Sequence, residues 1–212
     1  MFTTDRDLLV FEPHLFRDLA WAGQTLISGT ANYAGSVLEL TGDQSLEDQS
    51  VAAGHVITVD GVSYEIMEVL GATELWVSVV RASHDDPVIP AVKMIDRPAY
   101  VSTFAPQIAI AHRQVLRLVG VEPDLVLPGQ PTEASIKNPR ELARLEALAA
   151  LHLIYSAAAA ASGQDSPLAQ RAAMYLERFR AESTRVAALL DLNNDGIPDS
   201  TRRPCATYLT RT

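Results

Sequence analysis

The chain has 212 residues, 48% hydrophobic and 20% charged, with a formal net charge of −9. This excludes intrinsic disorder and collagen-like architecture and allows a buried core without staples, while the single cysteine, Cys205, excludes a disulfide framework and a multi-cysteine zinc site. The charge is uneven: residues 1–100 carry 5 Lys/Arg against 15 Asp/Glu, a balance of −10, and residues 101–212 carry 12 against 11, a balance of +1. An acidic front half repels a phosphate backbone, so sequence-wide nucleic-acid binding is not expected.

Along the chain, Asp5 to Phe11 is compatible with a strand, and Pro13 with the spacing of Leu15, Leu19 and Trp21 suggests a short helix. The run Ser36 to Thr41 reads as a strand. From His55 onward, three runs rich in β-branched and aromatic residues follow, the first two separated by Asp60-Gly61, a strong hairpin signal. In the second run Val62, Tyr64 and Ile66 share one face, and Ser63, Glu65 and Met67 the other. Val88 to Met94 supplies a later strand. About five short strands suffice for a small closed barrel.

After Pro98 the period becomes helical. Ala105 to Val119 places Ile108, Val115, Leu118 and Val119 on one stripe and ends at Gly120 and Pro123. Asn138-Pro139 reads as a cap and first turn of a helix reaching Ala161, whose last part is nearly all alanine and serine. Those small residues suit either a close neighbouring helix or simple helix propensity. A third helix is expected from Ser166-Pro167 to Leu190, the longest straight element, with Tyr175, Phe179, Val186 and Leu189 or Leu190 on its apolar stripe. The fold class expected is α+β: a small β-barrel module in the N-terminal half, then an α-helical bundle with one long helix and an extended C-terminal tail. The boundaries are 1–100 for the acidic barrel module, 101–199 for the helical domain and 200–212 for the tail.

The sharpest motif is the segment from Asp191 to Asp199. Asp191, Asn193, Asp195 and Asp199 place side-chain oxygens at positions 1, 3, 5 and 9, Gly196 allows the sharp turn, and Ile197 offers a carbonyl, as in the first part of a calcium loop. Arg202 stands where an EF-hand needs a bidentate glutamate. An Asx-rich turn that redirects the chain is the alternative. His84-Asp85-Asp86 is consistent with a solvated loop or with metal-assisted hydrolysis, and His112 and His152 with core or interface histidines. No phosphate-binding loop, nucleophile elbow or dinucleotide fingerprint occurs. The alternating residues after Pro204 read as a terminal strand that must pair with a neighbour or fray. The apolar runs fall short of a bilayer span and no basic-then-apolar signal opens the chain, so a cytoplasmic product without membrane contact is expected.

The helices NPRELARLEALAALHLIYSAAA and LAQRAAMYLERFRAESTRVAALL, with the closing turn DLNNDGIPDSTRRP and its extended tail, resemble the head-tail connector, or adaptor, proteins of tailed bacteriophages. The likeness covers residues 105–212 and lies in the combination, since no single motif is diagnostic. It implies a non-enzymatic structural virion protein at the head-tail interface, assembled in the host cytoplasm. Such a protein forms a homo-oligomeric ring of about twelve copies by heterologous contacts. Its partners would be the portal protein, a tail terminator or other neck protein, and further copies of itself, with DNA passing nearby without sequence-specific binding. The tail residues Arg202, Arg203, Cys205, Thr207, Tyr208, Leu209 and Arg211 would carry partner binding. The alternative is a calcium-dependent binding module using the Asp191 to Asp199 loop; no other cofactor is expected.

Overall fold

A computed structural model describes residues 1–35, 37–125, 129–163 and 165–204. The chain divides into two units, Thr4–Ala105 and Met1–Thr3 with Pro106–Thr212. The architecture is α+β, a barrel module followed by helices. The transition falls at the start of a helix rather than at residue 100, and the first three residues belong with the helical unit.

The barrel unit opens with helix α1 (Asp5–Phe11), not a strand. Thr4 and Asp7 form a capping box, and the acids Asp5 and Asp7 sit in the first turn, where the helix dipole favours them. A short helix α2 (Leu15–Asp18) follows as its apolar spacing predicts, burying Leu15 and Phe16. Six strands then close antiparallel in the order β1-β2-β5-β4-β3-β6. They are β1 (Gln24–Ala34), β2 (Val37–Thr41), β3 (Val56–Val59), β4 (Val62–Val69), β5 (Glu74–Ser78) and β6 (Met94–Thr103). Strands β3 to β6 form a Greek key, with β6 returning beside β3. Asp60 and Gly61 both take positive φ, 49° and 79°, and join Val59 to Val62 in a two-residue turn. Ile57, Tyr64, Ile66, Leu75, Val77 and Val101 fill the interior.

Two strands escape the sequence pattern. In β1 the alternation is interrupted by irregularities between Thr25 and Ile27 and between Ala31 and Tyr33. Gly29 of β1 is required because a Cβ there would collide with the Thr41 carbonyl of β2. The last strand begins at Met94 instead of ending there, and it carries Pro98, a residue that argues against a strand.

The helical unit contains α3 (Ala105–Leu118), α4 (Pro139–Ser162) and α5 (Pro167–Ser183). Val115 and Val119 of the expected stripe are buried, but Leu118 is exposed and Leu116 takes its place in the core. Gly120, at φ 72°, ends this segment, and a Cβ there would also strike the Arg202 guanidinium. The longest helix is α4, with 24 residues. It reaches a mean hydropathy of 1.4 over its most apolar window, so by length and composition it could cross a membrane, unlike the shorter apolar runs on which the expectation rested; 56% of that window is buried within the protein. The Ser166 hydroxyl accepts the Ala169 N–H at 3.2 Å and caps α5 as expected.

Helix α5 stops at Ser183, seven residues before the expected end. Val186, Ala188 and Leu190 are also compatible with period two, and they bury as a strand, β7 (Ala188–Leu190), paired antiparallel with β8 (Ser200–Arg202). The unit's core joins Val115, Leu116 and Val119 to Leu142, Leu145 and Leu190. Tyr155 of α4 stacks on Tyr175 of α5, rings 5.6 Å apart and 9° from parallel.

Candidate functional site

The segment between β7 and β8 contains all five residues proposed for calcium. Asp191 is 1% exposed. Its Oδ2 accepts the Gly196 N–H at 2.8 Å and faces the Lys137 ammonium at 2.9 Å, and its Oδ1 accepts the Asp195 N–H at 3.2 Å. Lys137 foremost, against burial, holds the Asp191 carboxyl below its usual range. Asp199 accepts N–H groups from Leu192 and Asn193 at 3.2 and 3.3 Å. Asn193 Oδ1 accepts the Asp195 N–H, and Asp195 Oδ1 accepts that of Ile197. Gly196, at φ 90°, makes the sharp bend. The oxygens that would ligate a cation thus serve as acceptors inside a closed Asx corner, and Lys137 supplies the positive charge at Asp191.

This corner sets the course of the terminal segment. On one side β7 is held by a bridge from Leu190 to Ile136, by the Lys137 N–H on the Leu189 carbonyl, and by the Leu189 N–H on Asn138 Oδ1. Asn138 therefore ties β7 to the start of α4 and gives no side-chain cap to that helix. On the other side lies β8, whose outer edge has no strand partner among the described residues. Arg202, expected to meet a partner, donates to the Gly120 carbonyl at 2.7 Å within its own unit. Arg203 is exposed. Cys205, Thr207, Tyr208, Leu209 and Arg211 lie outside the described residues. Leu192 and Ile197 leave apolar side chains exposed at the tip of the corner.

Two clusters that sequence reasoning missed hold the first residues of the chain. In the helical unit Glu146 is 0% exposed, accepts the Phe2 and Thr3 N–H groups at 3.2 Å, and lies 2.8 Å from His112 Nδ1. His112 Nε2 lies 3.2 Å from Glu133, beside a cleft of about 430 Å³. Burial disfavours the imidazolium, yet the bond and charge of Glu146, with Glu133, carry His112 above its ordinary value. Burial also opposes the Glu133 carboxylate, but His112 holds it below the usual range.

In the barrel unit Glu65, 2% exposed, accepts from Arg6 Nε at 2.7 Å and Arg81 Nε at 2.5 Å. Arg6 also donates to the Arg81 carbonyl and to Asp7. Arg81 in turn holds the His84 and Asp86 carbonyls at 2.9 and 2.6 Å, so His84-Asp85-Asp86 is a loop fastened by its backbone. His84 approaches Asp7 at 3.3 Å. His152 lies 3.0 Å from the Ala172 carbonyl, joining α4 to α5. No group of three or more His, Cys, Asp or Glu suited to a metal ion occurs among the described residues.

Family models, curated proteins and solved structures contain no match to this chain.

Proposed function

We propose that the protein is a structural virion component, a head-to-tail adaptor that forms a ring on the portal vertex and links the capsid to the tail or neck. The observation that carries this reading is the corner from Asp191 to Asp199, which turns the chain back on β7 and leaves the outer edge of β8 without a strand partner among the described residues. An open edge next to a chain end accepts main-chain hydrogen bonds from a preassembled partner, and exposed Leu192 and Ile197 add apolar area beside it. The internal use of the ionisable groups fits a scaffold: His112, Glu146, Arg6, Arg81 and Glu65 are spent on holding segments together. The acidic first hundred residues suit a protein beside a DNA channel, since repulsion keeps the genome from sticking in transit.

The test is docking. A chain lacking residues 200–212 loses β8 with its open edge and the residues that follow it, so it should remain folded, with its helical circular dichroism intact, and no longer join rings of the cognate portal protein. Normal joining by the truncated chain refutes the role given to the tail.

A further inference from the structure

Two faces of the barrel unit combine exposed apolar groups with charged groups of opposite sign. Of the cations within residues 1–100, Arg6 and Arg81 are buried on Glu65, and Arg17 pairs with Asp18 at 2.7 Å. The remaining two, Lys93 and Arg97, line one open cleft of about 530 Å³ between the β3–β4 turn and the segment entering β6. Val62, Val92 and Ile95 form its apolar wall, Val92 being 77% and Ile95 68% exposed. Arg97 has a loose partner in Asp60 at 3.7 Å, and Lys93 has no ion pair among the described residues. In a module of charge −10 the two cations that are neither buried nor closely paired thus line one apolar cleft, together with the acid Asp60.

The second face is the outer surface of β2, β5 and β4. The register sets Val37 and Glu68 beside Trp76, and Glu39 opposite Glu74. Trp76 and Leu70 are 36% and 45% exposed, and Glu39, Glu68 and Glu74 are exposed around them. Like charges directly opposite across a strand pair repel, and none of these three glutamates has an ion pair among the described residues. This face is acidic and apolar where the cleft is cationic and apolar. Val62 begins β4 at the cleft and Val69 ends it at the acidic face, roughly 23 Å away at the usual rise per residue.

We propose that the cleft is filled by the acidic face of a second copy of this chain. Trp76 and Leu70 of one copy pack beside Val92 and Ile95 of the next, while Glu39 and Glu74 meet Lys93 and Arg97. The cross-strand repulsion between the two glutamates is then relieved by Lys93, which has no ion pair among the described residues, and by Arg97, whose contact with Asp60 is a loose 3.7 Å. Because the two faces differ and lie at opposite ends of one strand, the contact is heterologous: it repeats head to tail and closes into a ring when the rotation per copy permits. This deepens the ring-forming reading above, on which it rests, by naming the surfaces.

Sedimentation velocity of the full chain at low and high salt tests it. Wild type should self-associate, and association should weaken as salt rises. The cleft reversal Lys93→Glu with Arg97→Glu, and separately the face reversal Glu39→Lys with Glu74→Lys, should each weaken self-association by about tenfold or more. An equimolar mixture of the two variants should associate again, because each reversed surface then meets a reversed partner; a misfolded variant could not give this result. A monomeric wild type, or association untouched by either reversal, overturns the proposal. In the latter case the adaptor reading stands with its ring contacts elsewhere, and portal docking decides that reading independently.

Discussion

Glu65 in the barrel unit and Glu146 in the helical unit are both buried and both grip the first residues of the chain, but their counter-charges differ. Glu65 lies between two guanidinium groups, which stay charged at any pH a protein survives. Glu146 relies on two backbone N–H groups and one imidazole, which Glu146 itself holds above its ordinary value and which loses its charge as pH rises further. The cations that fasten α1 to Glu65 therefore keep their charge as pH changes, whereas the hold of the helices on Phe2 and Thr3 includes an imidazole whose charge is lost as pH rises.

The largest expected effect comes from removing Glu65. Glu65→Ala leaves Arg6 and Arg81 buried beside each other without their carboxylate, and loss of one partner from such a cluster costs about 3–5 kcal/mol. Chemical denaturation followed by the fluorescence of Trp21 and Trp76, both in the barrel unit, should show it, and a loss below about 1 kcal/mol contradicts the buried-cluster account.

The pH dependence is next in size. Burial drives the Asp5 carboxyl from 3.8 to about 6, only partly offset by Thr103 and the Phe104 N–H. A carboxyl raised in the folded state penalises folding as it ionises, so the barrel unit loses stability as pH climbs from 3.8 through about 6. Complete ionisation costs about 3 kcal/mol. His112 is raised above 6.5, so its contribution is complete below 6.5 and disappears as pH rises through its folded value. The thermal midpoint should therefore fall as pH rises from 3.8 through about 6 because of Asp5, and fall again above 6.5 because of His112. Asp5→Asn should flatten the acidic part of that fall and His112→Gln the part near neutrality; a fall identical in both variants contradicts these assignments.

The smallest effect concerns the corner. With the Lys137 ammonium on Asp191, calcium at millimolar concentration should leave the wild-type midpoint unchanged, while Lys137→Ala should allow a small rise. A clear rise in wild type that Asp195→Ala abolishes would establish the calcium-dependent module instead.

Much of the fold could be read from the sequence, because local chemistry decided it. Asp60-Gly61 marks its hairpin through positive φ, Ser166-Pro167 marks a helix start, and the change from period two to a helical period separates barrel from helices. The errors arise where tertiary context overrides the pattern. Strand pairing takes Val186 to Leu190 away from α5, whereas α1 follows from a local signal, the capping box of Thr4 and Asp7, in a segment also compatible with a strand. Pro98 sits in β6, where its carbonyl accepts the Asp60 N–H. Glu65 appears on the outward face of β4 in the sequence pattern, and Arg6 and Arg81, both brought against it from other segments, go with its burial. Glu146 is similarly hidden, an acid among the apolar residues of α4 whose partners are 34 and more than 140 residues distant. The corner was visible as a motif, but its oxygens and N–H groups pair with one another, and Lys137 comes from another segment.

The most direct measurement is electron microscopy of the full-length chain mixed with rings of its cognate portal protein. The account predicts closed rings of this chain seated coaxially on the portal, each copy contributing its C-terminal end to the contact. Bare portal rings beside unassociated chains, under conditions where both proteins are folded, would contradict it.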